Sequence, residues 1–322
     1  MTADSRSVPE VPNQLAATRK ELPPPSLDGP AWTVLGAHIA AQVAAIVELE
    51  PQVRADRHDA VHQMRVACRR LRSALATFRR LVDRDVTDPV RGELRWLAGV
   101  LGEARDVEVM LDRLRTFAAM EPPDVAGEES STHLELALRE AGSDARVRVV
   151  QALDSARYSQ LLDDLVAIVA QPPWTSLAHQ PARKVLPKQV RRDWKRLRSD
   201  VAVAEGASTP EARAELLHDV RKTSKRLRYA NDALAPAFGR DAKRLAKAAE
   251  RLQTVLGDHH DGVVSQQLLM SLAARPGLDA SHVLLYGRLH ALEQAQRAET
   301  EPRYAKAWKQ VAKKRLRSWL KP

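Results

Sequence analysis

Hydrophobic positions recur along this chain at three- and four-residue spacing, the period of helices that bury one face. The pattern predicts a first helix over about 32–50 and a second over about 59–83. Asp88-Pro89 reads as an N-cap followed by proline at the first helical position, opening a helix that passes Trp96 and stops or bends near Gly102. Further helical segments fit 104–119, 131–153 and 157–170, with a loop over 121–130. Pro172, Pro173 and Pro181 mark a hinge between two halves. Beyond it, a helix over 186–204 places Leu186, Val190, Trp194, Leu197 and Val201 on one stripe, and Lys188, Arg191, Lys195 and Arg198 on another. Thr209-Pro210 caps a helix that ends near Pro236, and helices follow around 240–256, 263–274 and 280–299. A last helix from Pro302 is expected to bury Ala305, Trp308, Ala312 and Leu316 and to expose Lys306, Lys309, Lys313 and Arg317.

Two blocks of this pattern occur twice. VHQMRVACRRLR at 61–72 returns as LHDVRKTSKRLR at 217–228, and LAGVLGEARD at 97–106 returns as LQTVLGDHHD at 252–261. Preservation of both blocks in order and spacing points to a tandem duplication. The period exceeds that of solenoid units, so two related helical bundles are expected. Within the first block Val61, Met64, Cys68, Leu71, Leu75 and Phe78 form the apolar stripe, while His62, Arg65, Arg69 and Arg72 follow the same spacing on another face. In the second, Leu217, Val220 and Leu227 are the buried candidates and His218, Arg221, Lys225 and Arg228 the charged row. At about 1.5 Å rise per residue, each row extends roughly 15 Å, a length suited to a chain of phosphates.

Charge sharpens this reading. An ordinary solvated helix face alternates signs to gain i,i+4 pairs, whereas Ala60 to Val82 contains no acidic residue. Like charges stacked along a helix are tolerated where a counter-charge arrives from outside. The 322 residues carry 51 Lys and Arg against 41 Asp and Glu, a formal charge of +10, and the pI near 9.9 favours an anionic partner. Arg, Ala and Leu dominate and aromatic residues make up only 4%, so the expected fold class is all-α. The single cysteine, Cys68, excludes an internal disulfide and fits a reducing compartment. No apolar run is expected to reach membrane-spanning length, and the N-terminus lacks the apolar core of a secretory signal. Residues 1–30, rich in proline, read as a flexible leader.

The motif H-x-x-R-[VK]-x-x-[RK]-R-L-R, twice, each followed by L-G-x-x-[RH]-D, resembles the conserved histidine α-helical (CHAD) domain over about residues 31–320. The resemblance implies two pseudo-symmetric bundles, 31–171 and 182–322, whose basic helices line a central cleft or pore. It also implies binding of inorganic polyphosphate and a cytoplasmic place at polyphosphate granules, with granule proteins or a second copy of the chain as further partners. Carried over by position, the polyphosphate ligands are His62, Arg65, Arg69 and Arg72 in the first copy, with Arg70 beside them. In the second they are His218, Arg221, Lys222, Lys225 and Arg228, with Arg226 beside them. The rows Lys188, Arg191, Lys195, Arg198 and Lys306, Lys309, Lys313 would add flanking contacts. His259-His260, where the first copy has Ala104-Arg105, and Asp232, in place of the family's glutamate, depart from the pattern without touching the basic rows.

Polyphosphate binding requires many cations and no reactive group, so the expected protein is not an enzyme and needs no cofactor. Arginine supplies bidentate bonds to phosphate oxygens and lysine a point charge. Neighbouring cations should depress the two histidines, and a bound polyanion should restore them, giving tighter binding as pH falls from about 7.5 to about 6. The alternative of a polyphosphate or triphosphate hydrolase lacks its signatures. There is no P-loop, and Glu48-Leu49-Glu50 is followed by Pro51 where a CYTH triphosphatase would continue E-x-E-x-K. Asp106, Asp258, His259, His260 and Asp261 could hold a divalent ion, but Asp106 and Asp261 read better as caps or partners of internal arginines. A general nucleic-acid binder would offer exposed aromatics for stacking, which are scarce here, leaving weak binding at low salt.

Overall fold

In the computed structural model the described residues are 15, 17, 20–122 and 125–321. They form eight α-helices: α1 (Ala31–Arg54), α2 (Ala60–Thr77), α3 (Arg84–Ala118), α4 (Glu128–Leu153), α5 (Ala156–Ala170), α6 (Ala182–Glu205), α7 (Pro210–Ala273) and α8 (Ala280–Val311). The expected all-α class is observed. Met64, Cys68, Leu71, Leu75 and Phe78 of the first block, and Leu217, Val220 and Leu227 of the second, are all buried as their spacing requires.

Several boundaries differ from the sequence pattern for local physical reasons. α3 begins at Arg84 because the Asp83 carboxylate accepts the Asp85 N–H at 2.9 Å. Asp88 instead binds Arg91 at 2.6 Å and also Arg79, and Pro89 lies inside the helix. Gly102 does not stop α3, which runs on unbroken to Ala118. α7 does break where a helix end was expected after Pro236, at Gly239, whose φ of 57° and ψ of −129° favour glycine. Beyond that kink 240–273 is a single helical run. α8 continues through Pro302 and ends at Val311, so Lys313 and Arg317 lie outside it. Its buried face is Tyr304, Ala307 and Val311, one position from the expected phase, and Ala305 is exposed.

The halves interlock. One core gathers Ala31, Leu35, Ala74, Phe78 and Leu81 of the first half with Leu186, Val190, Leu197, Val220, Leu245 and Leu256 of the second. A second core lies within the first half, between α1, α2, α3, α4 and α5. A third joins the distal ends of α3 and α4 to those of α7 and α8 through Leu114, Phe117, Leu134, Leu269 and Leu289. There the Arg113 guanidinium also donates two 2.6 Å bonds to the fully buried carboxylate of Glu293. The expected hinge is pinned on both sides: Asp83 N donates to Pro173 O at 2.8 Å, and Ala31 N to Gln180 O at 2.9 Å.

α1 is long and apolar enough, by length and composition, to cross a bilayer, which corrects the sequence expectation. Its Val34, Leu35, Ile39, Val43 and Ile46 are packed inside the protein. The described part of the leader is docked, not free, since Leu15 is buried in the second core and Leu22 packs against it. The leader expectation for residues 1–14, 16, 18 and 19 falls outside the described residues.

A polar junction ties α2, α6 and α7. Asp193 on α6, only 4% exposed, accepts from Thr77 Oγ1 at 2.5 Å and from Arg226 Nε at 2.8 Å. Removing one partner of a buried ion pair strands the other charge. Asp193→Ala is therefore expected to destabilise the protein by roughly 3 kcal/mol in chemical denaturation; an unchanged midpoint would show the junction to be unimportant.

Candidate cationic site between the two motif helices

α2 packs against the first segment of α7, and their histidine-led rows face each other. Each row is half-buried because its helix sinks the adjacent apolar stripe into a core. Arg69 of α2 lies beside Arg65, Arg72 and, across the junction, Arg221. Lys225 of α7 is surrounded by Arg69, Arg221 and Arg65, and the charge that opposes them there is Asp261. Tyr229, buried beneath, has Arg69 and Arg228 5.9 and 5.7 Å from its ring centroid.

The second sequence motif explains how this cluster is held. In the first copy the Arg65 guanidinium lies over Gly102, where a Cβ would come within 3.2 Å of Nη2, and bonds Asp106 at 3.0 Å. In the second, Arg221 lies over Gly257, with 3.6 Å to an added Cβ, and faces Asp261 at 3.7 Å. The glycine gives the guanidinium room and the aspartate, one helical turn on, fixes it. His62 Nδ1, Arg65 Nε, His218 Nδ1 and Arg221 Nε are all buried without a hydrogen-bond partner within the protein. The same two atoms are thus unsatisfied in both copies.

Burial and crowding govern the protonation of the cluster. Burial, then the charges of Arg69, Arg221 and Arg65, pull the Lys225 ammonium down to about 6. His62 is lowered by burial and then by Arg105, and His218 by burial and then by Lys222 and Arg221. His260 stacks on His218 with ring centroids 4.4 Å apart; burial followed by the charge of Arg221 lowers it to about 4. Burial also lowers Arg69, Arg72 and Arg221 and raises the Asp261 carboxyl.

The structure divides the residues expected from sequence. His62, Arg65, Arg69, His218, Arg221 and Lys225 come together, and Arg72 extends them towards Arg91 and Arg95 on α3. Arg226 is turned inward, to Asp193, Thr77 and the Ala76 carbonyl, because one helical position rotates it about 100° from the row. Arg70 lies beside His38 and Asp232 for the same reason. Arg228 is neutralised by Glu250 at 2.7 Å and Asp232 at 3.6 Å, while Lys222 is exposed and paired with Asp219. Lys188, Arg191, Lys195 and Arg198 form an exposed face of α6, and Lys306 and Lys309 lie exposed on α8. Lys313 belongs to the turn after α8.

Sequence reasoning missed Arg105, beside His62, and His260, beside His218. They occupy the same position of the two L-G motifs, immediately before the aspartate, which is the signal that could have found them. The carboxylates considered for a divalent ion are engaged otherwise: Asp106 by Arg65, Asp261 by Arg221 and Asp258 by Arg303 at 3.1 Å. Among the described residues no three His, Cys, Asp or Glu side chains converge as a metal site requires.

Fold and site together define an all-helical protein with two facing, histidine-led cationic helices, each seated on a glycine of the helical segment that follows. A CHAD-domain family model matches residues 37–270, and the chain belongs to that family. Two Mycobacterium tuberculosis relatives, uncharacterized protein MT2285 of strain CDC 1551 and uncharacterized protein Rv2226 of strain H37Rv, are each 36% identical to it over 256 residues. The match covers 79% of this chain and 48% of each relative, so the chain spans about half their length. PptA from Streptomyces chartreusis shares the fold with a TM-score of 0.72 at 21% identity, over 87% of this chain and 99% of that one. The CHAD domain from the plant Ricinus communis does so with a TM-score of 0.70 at 24% identity, over 90% and 94%.

The glycine seats make a differential prediction. A helical Gly→Ala change gains about 0.5–1 kcal/mol where a methyl fits. Gly257→Ala should show that gain in denaturation, whereas Gly102→Ala, which must push Arg65 away, should show less or none. Equal gains at both sites would mean that the close approach of Arg65 to Gly102 does not matter.

Proposed function

We propose that this chain binds inorganic polyphosphate through the facing rows of α2 and α7, as a binding module with no catalytic step. The observation that carries the reading is the gathering of Arg65, Arg69, Arg72, Arg221 and Lys225, half-buried, with only Asp106 and Asp261 paired to them among the described residues. A chain of phosphates would satisfy both helices at once and supply acceptors to their unused donors. Tyr229 is buried and cannot stack a base, which favours a ligand of phosphates. Association with polyphosphate granules would follow from such binding.

The test compares long-chain polyphosphate with single-stranded DNA at rising salt, in wild type and in Arg69→Gln/Lys225→Gln. These two residues carry no ion pair, so their loss leaves no stranded carboxylate. Five contacts of the single-strand kind predict a log–log salt slope of about −3.5. Wild type should hold polyphosphate at physiological salt and release DNA, and the variant should lose at least about tenfold in polyphosphate affinity. Undiminished polyphosphate binding by the variant would place the site elsewhere.

The pH dependence follows mainly from Lys225. Its value of about 6 in the free protein lies below the value a polyanion would impose, so binding takes up a proton at pH above 6. Affinity should rise as pH falls from about 8 to about 6 and then flatten in this component, with the depressed histidines acting lower. Isothermal titration in buffers of different ionisation heat should show net proton uptake near pH 7.5, diminished in Lys225→Gln. No uptake in wild type would contradict a ligand seated on this lysine.

A further inference from the structure

A second concentration of positive charge lies on the outer face of α6. That face and the 3₁₀ turns of residues 314–320 enclose a cavity of about 550 Å3, within the range of about 300–1,000 Å3 typical of small-molecule sites. Seven of its lining residues are lysine or arginine and none is acidic. Arg191, Lys195 and Arg198 come from α6, and the other four, Arg317 among them, from the C-terminal turns.

Trp194 forms the floor. The Arg317 guanidinium sits 3.7 Å from its ring centroid and that of Arg198 5.1 Å. The ring is 5% exposed and already covered by cations, so it cannot stack a ligand's base. Its indole Nε1–H nevertheless has no acceptor, and neither does the buried Nε of Arg317. A buried donor without an acceptor is destabilising, and a bound anion would relieve that cost. The turns that close the cavity are anchored: Leu320 is buried in the first core, and the Trp319 ring packs 5.1 Å from that of Phe238.

We propose that this cavity is a second anion site, separate from the α2–α7 cluster, that takes a compact oligophosphate of a few units. The two sites share no lining cation. Asp193, adjacent in sequence to Trp194, faces the opposite way, into the junction with Arg226. The ligand class follows from convergence: cations that make no ion pair among the described residues surround a half-open cavity, in contrast to the extended rows of α2 and α7. Such a phosphate group could be a free oligophosphate or the end of a long polymer.

The test follows the indole N–H resonance of Trp194 in the full chain, assigned through Trp194→Phe, during titration with inorganic tripolyphosphate. The resonance should shift in wild type and shift equally in Arg69→Gln/Lys225→Gln. In Lys195→Gln/Arg198→Gln the midpoint should weaken by about tenfold. A resonance that stays still up to millimolar tripolyphosphate, or that moves only while Arg69 and Lys225 are intact, overturns the second site. A shift with long-chain polyphosphate but not with tripolyphosphate overturns the compact ligand and makes the cavity a continuation of the polymer's path. The α2–α7 reading fails separately, if Arg69→Gln/Lys225→Gln binds long polymer as wild type does.

Discussion

Repulsion among the half-buried cations of α2 and α7 is the constraint around which the rest of this structure is arranged. Two like charges about 6 Å apart at an effective dielectric of about 20 repel by roughly 3 kcal/mol. Helices carrying several such contacts would separate if nothing else held them. What holds them is the apolar stripe beside each row. Met64, Leu71 and Leu75 on α2 with Phe78 at its C-terminal cap, and Leu217, Val220 and Leu227 on α7, each contribute roughly 1.5–3 kcal/mol by burial. The Thr77–Asp193–Arg226 junction then fixes the two helices to α6. Hydrophobic burial and one internal ion pair thus keep a cluster assembled that electrostatics alone would disperse.

The duplicated L-G motif gives the cluster its shape. A guanidinium needs a flat surface and a carboxylate, and the glycine and aspartate of the next helical segment supply both in each copy. The remaining cations, Arg69 and Lys225 above all, have no such partner. Their deficit of counter-charge is what a polyphosphate would fill. Burial first, and then this crowding of like charge, hold Lys225 near 6. Arg228, on the same helix, is instead tied to Glu250 and Asp232.

Much of this was legible in the residues. The all-α class, the buried stripes and the break after Pro236 follow from spacing and from glycine and proline chemistry, which act locally. The uses of Arg70, Arg226 and Arg228 were not legible, because the motif marks them as cations without saying which neighbour each meets. Arg226 finds Asp193, thirty-odd positions away on another helix, and only tertiary packing decides that. The phase of the last basic row was not legible, because only tertiary packing decides that Tyr304, Ala307 and Val311 form the face that turns inward. His260 departs from the pattern in residue type, yet it takes the place that Arg105 holds in the first copy.

If the cluster is held together against its own charge, removing the charge of Arg69 and the cost of holding Lys225 deprotonated near pH 7 should stabilise the free protein while abolishing its response to ligand. The most direct measurement is thermal unfolding of wild type and Arg69→Gln/Lys225→Gln near neutral pH, with and without long-chain polyphosphate. The account predicts a higher Tm for the free variant than for free wild type, and a rise on adding polyphosphate that wild type shows and the variant largely lacks. A variant less stable than wild type, whose Tm polyphosphate still raises by the same amount, would contradict it.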